Sequence, residues 1–296
     1  MSIEKVRAHL AKVPPATTVA DQRAQYDRAE RVFPVPPDVG VKTVTIKPVQ
    51  GFEIAAEWLE PPAAREGAAL LYLHGGGYVI GSPRSHRHLA ASLARAAGAA
   101  TLLPDYRLAP EHPFPAAVED AVAAYRWLLE HGAQPGRVVI AGDSAGGGLT
   151  VATLLALRDR GLPRPAAGIC ISPWVDLTCT APSYATKAAS DPIVARDGVD
   201  MMAKAYLGAT DARTPLASPL YADLTGLPPL LVQVGSEEVL LDDAVGLAER
   251  GKAAGVAATL EVWPDMIHVW HWFFPMLDEG QRAIDVAGAF ARAGAR

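Results

Sequence analysis

Two short glycine-rich motifs hold the residues best suited to chemistry. Gly142-Asp143-Ser144-Ala145-Gly146 follows the apolar run Val138–Ala141 and opens a helical pattern, Ala145–Arg160. A serine between two such glycines, on a strand-to-helix turn, is a nucleophile elbow. The glycines are needed because the turn demands strained dihedrals and crowds the backbone. The serine then sits at a helix N-terminus, where the dipole favours negative charge developing on a substrate. Taken alone, the pattern also fits a glycine-rich turn with an N-cap serine. His74-Gly75-Gly76-Gly77 follows another apolar run, Ala68–Leu73, where an oxyanion-hole loop belongs relative to such an elbow. A carbonyl under attack gains negative charge, and glycines let backbone N–H donors approach it closely. Neither glycine run has the lysine or the spacing of a phosphate-cradling loop. The two motifs together, in this order and after strands, point to acyl transfer.

A serine nucleophile needs a base, and the base needs an acid to orient it; with this elbow they come in the order Ser, acid, His. Of the eight histidines, only His268 and His271 follow the last strand-like run, Ala258–Val262. His74 is expected to shape the oxyanion loop. His9, His86, His88, His112 and His131 are expected at the surface or in packing. His268 and His271 lack Cys or carboxylate partners at ligand spacing, so no metal site is expected. The acid belongs in the loop after Leu230–Val234, which holds Glu237, Glu238, Asp242 and Asp243; Asp176, after an earlier strand, is the outlying alternative.

These residues must be positioned by a sheet. Val41–Val49 and Phe52–Leu59 alternate apolar with polar, as in a half-exposed antiparallel edge pair. Continuous apolar runs follow at Ala68–Leu73, Ala99–Leu103, Val138–Ala141, Ala167–Ile171 and Leu230–Val234, with a mixed one at Ala258–Val262. Helical patterns separate them, near Ser85–Ala97, Ala116–His131, Ala145–Arg160, Asp243–Ala254 and Met276–Ala293. This predicts an α/β-hydrolase fold: one domain over 1–296, with a mostly parallel eight-stranded sheet covered by helices on both faces. Two regions break the alternation. Residues 1–35 carry amphipathic stripes (Ile3, Val6, Leu10; Val19, Tyr26, Phe33) suited to packing on protein, and residues 180–225 hold a predicted helix, Asp200–Leu207. Both are read as one lid over a core of 40–179 and 226–296.

The chain has 296 residues, is half apolar and carries a net charge of −5 without basic clusters, which argues against nucleic acid or an anionic membrane as partner. No run of signal-peptide or membrane-spanning type is present, and Cys170 and Cys179 are too few for a disulfide framework, so a cytoplasmic protein is expected. The aromatic run Trp270, Trp272, Phe273 and Phe274 is expected in the core or a subunit contact rather than in a substrate pocket.

The chain resembles the bacterial branch of the hormone-sensitive-lipase family of esterases. The resemblance rests on Leu71-Tyr72-Leu73-His74-Gly75-Gly76-Gly77-Tyr78, Pro104-Asp105-Tyr106-Arg107-Leu108-Ala109-Pro110-Glu111 and Gly142-Asp143-Ser144-Ala145-Gly146-Gly147. It implies oxyanion donors at Gly76, Gly77 and Ala145 and a structural role for Asp105–Glu111. The family's Met-x-His element matches Met266-Ile267-His268 and selects His268, although its usual Gly-Phe is Val269-Trp270 here. Its Asp-x-Leu-x-Asp-Asp/Glu pattern overlays Glu238–Asp243 and makes Glu238 the acid, leaving Asp242 and Asp243 to cap the next helix. The resemblance further implies a carboxylesterase for short-chain acyl esters, with no cofactor and with homodimers formed through the last strand and its helix. An amidase or peptidase with the same triad stays open. So does a non-catalytic receptor like the plant gibberellin receptors, which have lost the histidine.

Overall fold

The computed structural model describes residues 2–47 and 51–294. Three helices, α1 (Ile3–Leu10), α2 (Val19–Asp27) and α3 (Ala29–Val32), precede β1 (Gly40–Ile46) and β2 (Ile54–Glu60). The end of the expected Val41–Val49 strand, from position 48, lies outside the described residues. Then β3 (Ala69–Leu73), α4 (Pro83–Ala97), β4 (Ala100–Pro104), α5 (Ala116–Glu130), β5 (Val138–Asp143), α6 (Ala145–Asp159) and β6 (Ala167–Ile171) alternate. After α7 (Ser183–Thr186) and α8 (Arg196–Leu207) come β7 (Leu230–Gly235), α9 (Leu241–Ala253), β8 (Ala258–Trp263) and α10 (Asp278–Gly294).

The eight strands form one sheet in the order β1-β2-β4-β3-β5-β6-β7-β8. Only β2 runs antiparallel to its neighbours, as the alternating pattern of β1 and β2 implied. Strands β3 to β7 are buried throughout, because α5, α6 and α9 cover one face and α4 and α10 the other. That two-sided burial is why their sequences read as unbroken apolar runs. Helix α4 starts two residues before the expected Ser85: Ser82 caps it, Pro83 occupies its first turn, and Ser82 and Ser85 close a capping box. Gly288 lets α10 press on α4, since a Cβ there would fall inside Ala96.

The N-terminal stripe docks on protein: Val6, Ala29 and Phe33 are buried against Ile267, Trp270, Phe273 and Leu277. The chain after β8 is therefore held from outside by the segment before β1. No helix among the described residues is long and apolar enough to cross a membrane.

Candidate active site

Ser144 lies between β5 and α6 with φ 55° and ψ −121°, a conformation costly for any residue with a side chain. Its surroundings hold it there. Its N–H donates to the Ile171 carbonyl at 2.8 Å, and its own carbonyl accepts from Trp174 N–H at 2.9 Å and Gly148 N–H at 3.1 Å. The flanking Gly142 and Gly146 pack against each other and the Leu73 carbonyl so closely that neither could carry a Cβ. Ala145 opens α6, so its N–H has no intrahelical partner.

The loop after β3 brings the glycine run beside the elbow. Gly76 and Gly77 have φ of 113° and 60°. A Cβ on Gly76 would collide with the Ile80 carbonyl, and one on Gly77 with the sulfur of Met202. His74 stacks on Tyr106 with centroids 4.2 Å apart, and its carbonyl accepts from the Tyr106 hydroxyl at 2.7 Å. Burial lowers the His74 pKa to about 3. His74 is thus a neutral, packed ring that shapes the loop, and Tyr106 of the structural stretch is its support.

His268 follows β8, and its Nδ1 is 2.9 Å from Glu238 Oε2. The other oxygen of this fully buried carboxylate accepts from Gly235 N–H at 2.6 Å and the Ser172 hydroxyl at 2.7 Å. Val269 N–H donates to that same hydroxyl at 3.1 Å, so one serine ties the carboxylate to the histidine loop. The two loops are joined again where Glu237 N–H meets the Met266 carbonyl at 3.0 Å. Burial pushes the Glu238 pKa up, partly countered by His268 and the Gly235 and Ser172 donors. Burial would lower the His268 pKa, but Glu238 outweighs it and the imidazole lies above the ordinary histidine value. Val269 occupies the left-handed region (φ 47°) where the resemblance has glycine, so the chain keeps that turn at the cost of strain in a β-branched residue.

Ser144, His268, Gly76 and Gly77 line one narrow pocket of about 110 Å³. Trp174, Ile193, Val194, Val199 and Met202 give it apolar lining, and Tyr26, His86, Asp143 and Trp272 also line it. A larger charged groove, about 570 Å³ between α5 and β1, contains none of these residues.

Several expectations need correction. Asp242 and Asp243 do not cap α9, whose N-cap position is Leu240 without a side-chain bond. They lie in its first turn and reach across: Asp242 accepts from Ser183 N–H at 2.7 Å, and Asp243 from Val175 and Asp176 N–H at 3.0 and 2.9 Å. Those loop amides lack strand partners, and the two carboxylates satisfy them. Asp176 is occupied by Thr178 and Tyr221, not by a histidine. Trp272 lines the pocket, while Trp270 and Phe273 are buried, as expected of the aromatic run. Among the other histidines, His9, His112 and His131 are exposed and His88 is packed. His86 is buried at the pocket wall, 3.3 Å from Asp143. No local signal marked it; only Asp143, inside the elbow motif, could have raised the question of a partner. His271 is buried against Gln233 at 2.9 Å, and burial lowers its pKa to about 3. Both cysteines are buried free thiols.

A sheet of this order, with a strained serine after β5, a glycine loop after β3 and a histidine–carboxylate pair after β8 and β7, defines an α/β hydrolase. A family profile described as alpha/beta hydrolase fold matches residues 70–272. The chain is 56% identical to an acetyl-hydrolase of Streptomyces hygroscopicus over 274 residues, covering 93% of this chain and 90% of that one. It is 34% identical to an esterase of Acinetobacter venetianus, covering 91% and 87% of the two chains. The crystal structure of an esterase from the bacterial hormone-sensitive lipase family superposes with a TM-score of 0.94 at 52% identity, over 99% of this chain and 98% of that one. The chain belongs to this bacterial hormone-sensitive-lipase family of esterases, and it is a carboxylic-ester hydrolase.

Proposed function

We propose that the chain hydrolyses short-acyl monoesters by two-step acyl transfer through Ser144, His268 and Glu238. The observation that carries this reading is the buried His268–Glu238 hydrogen bond of 2.9 Å beside the pocket that also receives the strained Ser144. His268 takes the Ser144 proton as the hydroxyl attacks the ester carbonyl, and Glu238 stabilises the resulting imidazolium. The amides of Gly76, Gly77 and Ala145 hold the oxyanion. His268 then protonates the leaving alcohol and activates the water that releases the acid. These steps use only the protein's own groups.

The pocket's volume and its wall of Met202, Val199 and Trp174 support a short acyl chain. The name of the acetyl-hydrolase relative supports an acetyl group. The segments 1–35 and 180–225 act together as the lid over this pocket, above the core of 40–179 and 226–296. The free thiols fit a cytoplasmic location, and β8, at the end of the sheet, is where a second copy would pair.

The test compares wild type with Ser144→Ala on p-nitrophenyl esters of increasing acyl length and on the matched acetanilide. The wild type should prefer acetate to butyrate over longer chains and leave the anilide intact, and S144A should lose about 10⁴-fold or more in kcat. Wild-type turnover by S144A would remove the nucleophile, and faster cleavage of the anilide would make the chain an amidase.

A further inference from the structure

A second buried histidine–carboxylate pair flanks Ser144. Asp143, the residue before it, is 2% exposed. Asp143 Oδ1 accepts from the Tyr72 hydroxyl at 2.7 Å, and Oδ2 lies 3.3 Å from His86 Nε2. His86 is itself fixed: its Nδ1 is 2.7 Å from the Ser85 hydroxyl, within the capping box of α4, and its ring stacks on Trp272 with centroids 5.1 Å apart. The Asp143 carboxylate also packs on the oxyanion loop, since a Cβ on Gly75 would fall inside Oδ2. A single side chain therefore joins the elbow, to which it is covalently adjacent, to the residue just before Gly76 and Gly77.

Packing alone would not keep a carboxylate there, because a buried charge is costly without partners. Burial opposes ionisation of Asp143, but His86 and the Tyr72 hydroxyl outweigh it, and the carboxyl lies below the ordinary aspartate range. The two grips come from different elements, Tyr72 from β3 and His86 from α4. Loss of either would free the carboxylate to turn and the loop to shift.

We propose that His86 is a positioning residue: by gripping Asp143 it fixes the oxyanion loop against the nucleophile elbow, so that the Gly76 and Gly77 amides are aimed before substrate arrives. It transfers no proton. Donors aimed in advance are worth about 10²–10³-fold in kcat, and a displacement of about 1 Å costs about 10²-fold. The inference rests on the Ser144 hydrolase reading, whose own failure would show separately in the Ser144→Ala variant.

The test measures kcat, KM and the affinity of an aryl trifluoromethyl ketone for wild type, His86→Leu, His86→Gln and Tyr72→Phe. Serine addition turns the ketone into an oxyanion, so its affinity reports how well the hole is formed. H86L should lower kcat about 10²-fold with KM within about threefold, and inhibitor affinity should fall in parallel with kcat/KM. H86Q, whose amide can again donate to Asp143, should recover about tenfold over H86L. Y72F removes one oxygen from the other grip and should lower kcat and inhibitor affinity together by about tenfold; it decides the matter alone if H86L does not fold. The proposal is overturned if kcat stays within about threefold of wild type, if the loss falls in KM, if inhibitor affinity does not move, or if H86Q recovers nothing.

Discussion

The pocket has two walls built by different means. The strand-end wall is made of backbone: the Gly76 and Gly77 amides, the Ser144 turn and the short loop carrying His268. At Gly142 and Gly146 a single added carbon would strike the Leu73 carbonyl of β3, and at Gly76 the Ile80 carbonyl of its own loop, so this wall is fixed by sterics. The opposite wall is made of side chains from helical segments: Tyr26 before β1, and Ile193, Val194, Val199 and Met202 after β6. It is held at its margins by polar ties. Arg23 donates to the carbonyls of Val79 and Ala109, each at 2.9 Å, and pairs with Glu111. Asp191 accepts from Val239 N–H at 3.0 Å, next to Glu238. Arg7 donates to the Ser190 carbonyl at 2.7 Å and ties the two helical segments to each other. On the proposed mechanism, this difference predicts that reaction rate resides in the first wall and acyl selectivity in the second.

The division breaks if changes in the strand-end wall are mild. Glu238→Gln should have the largest effect, about 10³–10⁴-fold in kcat, because the amide favours the wrong histidine tautomer. Asp242→Asn, at a carboxylate turned towards Ser183, should stay near wild type; the reverse order would move the acid to Asp242. The pH dependence sharpens this. The base must be unprotonated, so kcat/KM rises with pH through the His268 pKa. Glu238 holds that value above the ordinary histidine one, and without it burial lowers it. The acid limb should therefore move to lower pH in E238Q; an unmoved limb would detach Glu238 from His268.

Next come the two glycines. Gly76→Ala meets backbone and should cost about 10²-fold or more in kcat. Gly77→Ala adds a left-handed backbone strain, but its nearest clash is with the Met202 side chain, so adding Met202→Ala should recover part of its loss. Met202→Ala alone should shift the ratio of hexanoate to acetate turnover upward by about tenfold, the worth of roughly one methylene in an apolar pocket. Equal behaviour of G76A and G77A, or an unchanged chain-length profile, would dissolve the distinction between the walls. The smallest effect belongs to Arg23→Ala. Its pair with Glu111 is half exposed, so KM should rise by a few-fold with kcat within about twofold.

The same division governs what the sequence discloses. The serine turn and the glycine loop beside it were legible because steric necessity leaves glycines at fixed spacing, and the parallel strands because two-sided burial makes them continuously apolar. Glu238 was singled out only through the family's spacing: chain order placed four carboxylates in one loop, and only folding turns Glu238 towards His268 while Asp242 and Asp243 serve loop amides. The helical wall left no motif. Met202, Val199 and Tyr26 are ordinary members of amphipathic stripes, and nothing local says which of their faces meets the serine. His86 and Ser172 meet partners, Asp143 and Glu238, that lie 57 and 66 residues further along the chain.

The central claim is that Ser144 is the hydroxyl to which the acyl group is transferred. Diethyl p-nitrophenyl phosphate tests it directly, since the serine displaces nitrophenolate and keeps the phosphoryl group. Intact-mass and peptide mass spectrometry should find one diethylphosphoryl group per chain, on the Ser144 peptide, in step with loss of esterase activity, and none on the Ser144→Ala variant. Stoichiometric labelling at another residue, or full activity in a chain labelled at Ser144, would contradict the account.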